Sequence, residues 1–299
     1  MKRTLTFALL ATACAAAFAA PIGIASGQPT GTNYPMAADI IKVCSTAQSP
    51  ISNNVSDGSI DNIYKIATDK RTQYGIVQAD ALEYQKGIDP KMMERIVMVF
   101  PFFSTEMHLV AKDGSPITSL AQLAGKRVVE GPEGSGTWVS VQVIKKLTGL
   151  QWQGFNASQS DGMKAVKSGE ADAMFIVAGK PVKIIGESTD IKLVSMANPA
   201  LDKFGLYTKT MISSGTYPWQ KGTVSTYKVD NVLATFAYQN QYQKEIGSLV
   251  TCITRNIGRL QTEDGYHAKW LDVNPLDIDR ITWPAHPAAK AAIKREAKK

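Results

Sequence analysis

The most telling segment of this chain is a glycine-rich turn with the sequence Gly131-Pro132-Glu133-Gly134-Ser135-Gly136-Thr137. It follows a strand-like run over residues 126–130 and precedes apolar residues at helical spacing, including Val139, Val143 and Leu147. Glycines let the backbone approach a ligand closely, and the free N–H groups and positive dipole end of a helix N-terminus stabilise negative charge. The segment therefore predicts a strand, turn and helix that together hold an anion.

The same turn resembles a phosphate-binding loop only in part. It matches the spacing G-x-x-x-x-G through its sixth position. Thr137 then stands where that motif needs the lysine that reaches the phosphates. The functional interpretation is an anion site without phosphate chemistry, and the structural alternative is a glycine-rich turn that binds nothing.

Residues 1–19 have the features of a secretory signal peptide. A basic start at Lys2 and Arg3 precedes an apolar run over residues 5–18, which ends in the cleavage pattern Ala17-Phe18-Ala19. We predict cleavage near Ala19 and a periplasmic location. An uncleaved anchor is disfavoured because the run is shorter than the roughly 20 apolar residues of a membrane span. The mature chain is therefore predicted not to span a membrane.

The composition of the chain is that of an ordinary globular protein, with 44% hydrophobic and 20% charged residues. The formal charge of +7 includes Lys2 and Arg3, so removal of the leader lowers it by two, to +5. Part of the remainder lies in a basic tail over residues 290–299, and no basic stripe is interleaved with aromatic residues. Nucleic acid is therefore not predicted as a partner.

Two of the three cysteines, Cys44 and Cys252, remain after export, in a compartment where disulfides persist. We predict that they are bonded, and the alternative is two separately buried thiols. Cys14 lies in the leader, where lipidation is a minor alternative. The three histidines are scattered without ligand spacing to cysteines or carboxylate pairs, so neither a metal nor another cofactor is predicted.

The order of predicted elements is that of an α/β protein. Strands and helices alternate up to a turn-rich break at residues 112–116, and the alternation then resumes. Residues 224–235 form a strand-like run that leads back to the first domain through long helical patterns. We predict two Rossmann-like lobes joined by crossing strands, with a ligand cleft between them. Lobe I comprises residues 20–112 and 214–299, and lobe II comprises residues 113–213.

Five short segments, taken in order, resemble the TAXI family, the solute receptors of tripartite ATP-independent periplasmic (TRAP) transporters. The segments are Thr30-Gly31-Thr32-Asn33-Tyr34-Pro35, Gly58-Ser59-Ile60-Asp61-Asn62, Gln78-Ala79-Asp80, Gly131 to Thr137, and Ala178-Gly179-Lys180-Pro181. Each is short, but the order and spacing of all five are jointly specific. The resemblance implies a type II periplasmic binding fold that closes on an organic acid, such as glutamate or a related dicarboxylate, and a membrane permease that receives it.

Helix N-termini near Thr32, Ser59, Gly136 and Pro181 are predicted to surround the ligand. The predicted ligand-binding residues are Thr30, Gly31, Thr32, Tyr34, Ser59, Asn62, Gln78, Gly134, Ser135, Gly136, Thr137, Gly179, Lys180 and Pro181. Lys180 is the proposed counter-charge to a carboxylate, with a solvent-facing lysine as its alternative. Asp80 is expected to fix a loop, because it would repel an anion. Tyr34 is a candidate wall of the pocket, with a core aromatic as its alternative. Capping and turn chemistry alone is the alternative for Ser135, Thr137, Gln78 and Asn62.

The sequence favours a monomeric receptor that captures a small organic anion, such as glutamate or 2-oxoglutarate, and delivers it to a TRAP permease. Two alternatives stay open. One is a receptor of an ABC-type importer, or a sensor, on the same fold. The other is an exported enzyme on this scaffold, which is disfavoured because the sequence contains neither G-x-S-x-G nor H-E-x-x-H. No catalytic residue is predicted.

Overall fold

A computed structural model describes residues 22–239 and 242–298. The predicted signal peptide and its cleavage site lie outside the described residues. The strands are β1 (Ile22–Gly27), β2 (Ile51–Val55), β3 (Tyr74–Gln78), β4 (Ile96–Lys112), β5 (Arg127–Val129), β6 (Gln153–Phe155), β7 (Ala173–Ala178), β8 (Ile191–Val194), β9 (Tyr207–Ile212) and β10 (Val224–Phe236). The helices are α1 (Asn33–Cys44), α2 (Ser59–Thr68), α3 (Ala79–Ile88), α4 (Pro90–Met93), α5 (Gly136–Thr148), α6 (Gln159–Ser168), α7 (Lys183–Gly186), α8 (Pro199–Asp202), α9 (Tyr242–Thr262) and α10 (Pro287–Glu296). Short 3-10 turns cover Leu120–Leu123, Ala268–Asp272 and Ile278–Arg280.

The described strands form one mixed sheet in the order β2-β1-β3-β10-β4-β7-β5-β6, in which β9 also pairs with β10 and β8 with β4. The strands β1, β2 and β3 are parallel, as are β5, β6 and β7. Between these two parallel groups lie the long strands β4 and β10, which are antiparallel to each other and to their outer neighbours. The α/β class predicted from the sequence is confirmed.

The strands β4 and β10 connect the two parallel groups. In β10, residues 224–229 pair with β9 and residues 231–235 pair with β3. In β4, residues 106–111 pair with β7, while the preceding part pairs with β10. The exchange of partners therefore occurs in the middle of each strand. The lobe boundaries at 112/113 and 213/214 stay a prediction.

The sequence predicts two separate strands at 97–99 and 107–111, whereas the structure has the single strand β4. Pro101 and the polar run Ser104-Thr105-Glu106 interrupt the apolar pattern. All of them are nevertheless buried, because β4 has neighbours on both sides. A buried central strand does not need the alternation that marks an exposed one.

Three other local expectations differ from the structure. The segment 178–181 was expected to open a helix, but α7 begins only at Lys183 and has four residues. The strands β2 and β6 were not predicted, because the sequence of β2, Ile-Ser-Asn-Asn-Val, has few apolar residues and β6 has only three residues. The long helical patterns expected after residue 235 are present as α9 and α10, but residues 263–286 hold only short 3-10 turns.

The predicted disulfide is confirmed. Cys44 and Cys252 are bonded, with their Cα atoms 5.9 Å apart, which excludes the alternative of two separate thiols. The bond joins the C-terminal end of α1 to the middle of α9. Within residues 22–239 and 242–298, no helix combines the length and apolar character of a membrane span. The same residues contain no group of three or more histidines, cysteines or carboxylates placed to hold a metal.

Candidate functional site

A cavity of about 160 Å³ lies at the carboxyl ends of β1, β3, β5 and β7. This is the edge of an open α/β sheet at which ligands bind. The predicted residues that line it are Thr30, Gly31, Thr32, Ser59, Gln78, Ser135, Gly136 and Thr137. Other residues that line it were not predicted from the sequence, among them Ser26, Gln28, Asn33, Asp57, Gly58, Thr105, Ser158, Phe175 and Asn231. The glycine turns are therefore brought together around one space.

Four helix N-termini meet at this cavity. The N-cap residues of α1, α2, α5 and α6 all line it, and these are Thr32, Gly58, Ser135 and Ser158. Each helix has between 10 and 13 residues. The first turn of a helix presents unpaired N–H groups and the positive end of the helix dipole. Two helices from each side of the cleft thus direct positive potential at the same volume.

Hydroxyl groups add further donors. Four hydroxyl oxygens each accept a hydrogen bond from a backbone N–H: Thr32 from Gly179 (3.0 Å), Ser59 from Gln78 (3.3 Å), Ser135 from Trp138 (3.2 Å) and Thr137 from Val177 (3.0 Å). No residue in the described part of the chain accepts a hydrogen bond from any of these four hydroxyls. Because a hydroxyl has one proton and two acceptor positions, each keeps its proton to donate.

Formal charge is almost absent from the cavity wall. Among the described residues that line the cavity, only Asp57 is charged. Asp57 is exposed, and its Oδ1 accepts a hydrogen bond of 3.2 Å from Gln28 Nε2. The described lining residues therefore present backbone N–H groups, hydroxyls and helix ends to the cavity, and include neither lysine nor arginine.

Lys180, the expected counter-charge, does not line the cavity. Its Nζ donates to the backbone oxygen of Met211 on β9 at 2.8 Å, and its backbone N–H donates to Glu106 Oε2 at 2.9 Å. The carboxylate of Glu106 is held in turn by Lys269 Nζ at 2.8 Å, and both of these side chains are buried. The structure thus directs the Lys180 ammonium toward β9.

Five other predicted residues lie beside the cavity without lining it: Tyr34, Asn62, Gly134, Gly179 and Pro181. Asn62 is fully buried, and its Nδ2 donates to the backbone oxygen of Ile76 at 2.7 Å. The Tyr34 backbone oxygen accepts from Asn53 Nδ2 at 3.0 Å. The first contact joins α2 to β3, and the second joins α1 to β2.

The two sides of the cleft touch at their glycine turns. The backbone N–H of Ile60 donates to Gly134 oxygen at 3.1 Å. Gly58 has φ of 124°, and a Cβ added there would lie 2.8 Å from Ser135 Cα. A Cβ on Gly136 would lie 1.6 Å from Gln78 Oε1. Gly58 is required because its φ is positive and the Ser135 backbone leaves no room for a side chain, whereas a side chain at position 136 would have to displace the Gln78 amide.

Asp80, expected to fix a loop or hinge, lies in the first turn of α3 and links this helix to α5 and β9. It is buried, and its Oδ2 accepts hydrogen bonds from Ser140 Oγ at 2.6 Å and from Tyr207 OH at 2.9 Å. Its Oδ1 accepts from Gln78 Nε2 at 3.3 Å, so it also orients a residue of the cavity wall. Burial raises the pKa of the Asp80 carboxyl, although these hydrogen bonds oppose the shift.

The floor of the cavity includes Thr105 of β4 and Asn231 of β10, which sequence reasoning missed. Both lie in the middle of buried strands, where no turn motif marks them. The signal in the sequence that could have identified Thr105 and Asn231 is a polar residue inside an otherwise apolar strand. Ser158 was also missed, although Ser158 and Asp161 have the spacing of a helix cap.

Comparison with solved structures shows the fold. A substrate-binding protein of an amino acid ABC transporter has a TM-score of 0.51 and 13% identity over 84% of this chain and 97% of that chain. A structure described as a periplasmic transporter has a TM-score of 0.55 and 13% identity over 93% of each chain. The periplasmic sulfonate-binding protein of a putative sulfonate ABC transporter from Methylobacillus flagellatus has a TM-score of 0.51 and 15% identity over 92% of this chain and 76% of that chain. The two-lobe fold of periplasmic binding proteins, expected from the sequence, is confirmed.

Comparison with family models assigns this chain to a protein family. Residues 24–293 match the model of the NMT1-like family. The match extends from β1 to α10 and includes every segment that forms the cavity wall. The chain therefore belongs to the NMT1-like family.

Proposed function

We propose that the protein is a periplasmic solute-binding receptor that captures a small organic anion by closure of its two lobes. The observation that carries this proposal is the convergence of four helix N-termini, from both sides of the cleft, on one cavity. Each helix end stabilises a nearby anion by about 0.3 to 1 kcal/mol when exposed, and by up to about 2 kcal/mol when partly buried. No catalytic step is part of the proposal.

The size and polarity of the cavity favour a small carboxylate. Its volume of about 160 Å³ is close to that of a cavity of about 150 Å³ that holds benzene. Glutamate, 2-oxoglutarate or a similar acid fits this range when part of the molecule extends toward the mouth. We propose that the residues that hold it are Thr30, Gly31, Thr32, Ser59, Gln78, Ser135, Gly136 and Thr137, together with Ser158.

We propose that residues 20–112 with 214–299, and residues 113–213, move as the two lobes. The hydrogen bond between Ile60 and Gly134 and the bond between Gly179 and Thr32 link the two sides and support a closed arrangement. The ligand would stabilise this arrangement because its anionic group contacts helix ends from both sides.

The permease that receives the ligand is proposed from the sequence. The five segments that resemble the TAXI family support a TRAP permease. The solved structures with the same fold include binding proteins of ABC transporters, and this favours an ABC-type importer as the second candidate. Ligand uptake by vesicles that contain the partner permease distinguishes a TRAP permease from an ABC-type importer. A TRAP system takes up ligand without ATP, whereas an ABC system requires ATP.

A thermal-shift screen tests the receptor proposal. The protein is freed of carried-over ligand by unfolding and refolding, and is then screened against amino acids, dicarboxylates, oxo acids and neutral sugars. A ligand at a hundredfold excess over its Kd stabilises the native state by about 2.7 kcal/mol, which gives a clear shift. A selective response to one class of organic acid is expected. A response to neutral sugars alone would contradict the anion site, and turnover of a bound acid, detected by mass spectrometry, would contradict a receptor without catalysis.

A further inference from the structure

We propose that Asn231 recognises a hydrogen-bond donor on the ligand. The receptor would then distinguish a small carboxylic acid that carries an N–H or O–H group, such as an amino acid or a hydroxy acid, from the same carbon skeleton without that group. This inference rests on the proposed function and narrows the class of ligand.

The cavity wall contains an unpaired buried acceptor, Asn231 Oδ1. The Asn231 side chain is 0% exposed, and its Oδ1 has no hydrogen-bond partner among the described residues. Folded proteins pair nearly all such buried atoms. Because Asn231 lines the cavity, the missing partner is expected on the molecule that fills the cavity.

Hydrogen bonds fix the orientation of the Asn231 amide. Asn231 Nδ2 donates to the backbone oxygen of Phe103 at 3.1 Å and to Thr105 Oγ1 at 3.4 Å. Rotating the amide by half a turn would place Oδ1 against the Phe103 oxygen, so that two acceptors would face each other. The carbonyl oxygen is therefore the group of Asn231 that stays available to a ligand.

The pairing of β10 with β4 is irregular at Asn231. Asp230 pairs with Ser104 and Val232 with Pro101, so two residues of β4 lie opposite Asn231 alone. Irregularities of this kind occur next to binding sites, where they redirect a side chain. On its other side Asn231 pairs with Gln78, which also lines the cavity.

The polarity of the cavity is therefore divided. The helix ends and hydroxyls supply donors, which suit the acceptor-only oxygens of an ionised carboxylate. Asn231 Oδ1 supplies an acceptor at the floor, which suits an ammonium or hydroxyl group. An ionised acid with no donor, such as glutarate or 2-oxoglutarate, leaves Oδ1 unpaired.

Isothermal titration calorimetry with matched carbon skeletons tests this proposal. The wild-type protein is titrated with glutamate, 2-hydroxyglutarate, 2-oxoglutarate and glutarate, and with alanine, lactate, pyruvate and propionate. In the series that the protein binds, we expect at least one donor-bearing acid to bind about tenfold or more tightly than the acids without a donor. Equal affinity within that series would overturn the proposal and would assign an ordered water to Oδ1.

Two variants test whether Asn231 is the source of the preference for acids that carry a hydrogen-bond donor. Asn231→Leu has a side chain of similar size and no acceptor, and we expect its preference to fall to about threefold or less. Thr235→Val, in the same strand, removes a buried hydrogen bond of 2.8 Å from Oγ1 to the Gln73 backbone oxygen, but Thr235 does not line the cavity, so this variant should retain the preference. A preference that survives in folded Asn231→Leu would overturn the assignment. If Asn231→Leu does not fold, the titrations of the wild-type protein still test whether the receptor prefers acids that carry a donor.

The outcomes also separate the inference from the proposed function. If acids with and without a donor bind equally, Asn231 does not recognise the ligand, but the receptor proposal still stands. If the thermal-shift screen and the titrations show that no organic acid binds, both proposals fall together.

Discussion

Ser140 Oγ donates a hydrogen bond of 2.6 Å to Asp80 Oδ2, which joins α5 on one side of the cleft to α3 on the other. Tyr207 OH donates to the same oxygen at 2.9 Å. The carboxyl is 1% exposed, and burial raises its pKa. A buried acid thus holds together the elements that support Gln78 in the cavity wall.

This raised pKa predicts a pH dependence of stability. Between the unfolded-state pKa of about 3.9 and the higher native pKa of Asp80, the native state binds more protons than the unfolded state. The contribution of Asp80 to the free energy of unfolding therefore falls as pH rises through that window. Asp80→Asn keeps an oxygen for Ser140 and Tyr207 and does not titrate, so its stability should decline less. Urea unfolding of both proteins over a pH series measures the difference, and parallel curves would contradict the prediction.

Gly58→Ala should weaken ligand binding. The added Cβ would lie 2.8 Å from Ser135 Cα, and φ of 124° is rarely adopted by a residue with a side chain. Strain of this kind costs about 1 to 3 kcal/mol and opposes closure, which corresponds to a roughly tenfold or greater loss of affinity. Calorimetry with the acid that gives the largest thermal shift measures it. Gly87→Ala is the control, because nothing lies within 4 Å of its Cβ, and equal affinities of the two variants would exclude the steric explanation.

Ser135→Ala should lower both stability and affinity. Ser135 Oγ caps α5 by accepting from Trp138 N–H at 3.2 Å, and the loss of such a cap costs about 0.5 to 2 kcal/mol. The hydroxyl proton is also a donor that the proposed anion uses. Asn198→Ala removes a similar cap from α8 and should lower stability alone, since Asn198 does not line the cavity. Urea unfolding and calorimetry separate the two effects, and unchanged affinity in Ser135→Ala would remove this hydroxyl from the site.

Replacing Cys44 and Cys252 together by serine should destabilise the protein without changing ligand affinity. The bond closes a loop with a sequence separation of 208, and loss of a native disulfide typically costs about 2 to 5 kcal/mol. Cys44 ends α1, about 18 Å along the helix axis from the N-terminus that lines the cavity. Chemical denaturation and calorimetry test this expectation, and a large loss of affinity would show that the bond also positions the helix end.

The parts of the site that depend on local sequence could be predicted. The segments at residues 30–32 and 131–137 each combine a turn and a helix start within a few residues, and most of their residues line the cavity, while their role in binding stays a prediction. Ser135 is recognisable from the sequence because serine is a preferred N-cap residue, and its Oγ caps α5.

The remaining parts depend on contacts that are distant in sequence. Lys180 follows a recognisable turn, but the direction of its ammonium is set by Met211 on β9. Asn231 lines the cavity because β10 lies between β3 and β4, and no local pattern encodes that arrangement. The edge strand β2 forms through pairing with β1, although its own sequence is mostly polar.

The central position of β10 also has a consequence for the order of folding. Its neighbours β3 and β4 end at Gln78 and Lys112, whereas β10 begins only at Val224. Until that strand has been synthesised, both neighbours have an open edge, and Cys44 has no partner until Cys252 follows. Such long-range pairings form slowly, because a long loop must close before they are gained. Completion of the sheet between β3 and β4 is therefore a late event, and a chain that stops before residue 224 lacks the strand that lies between them.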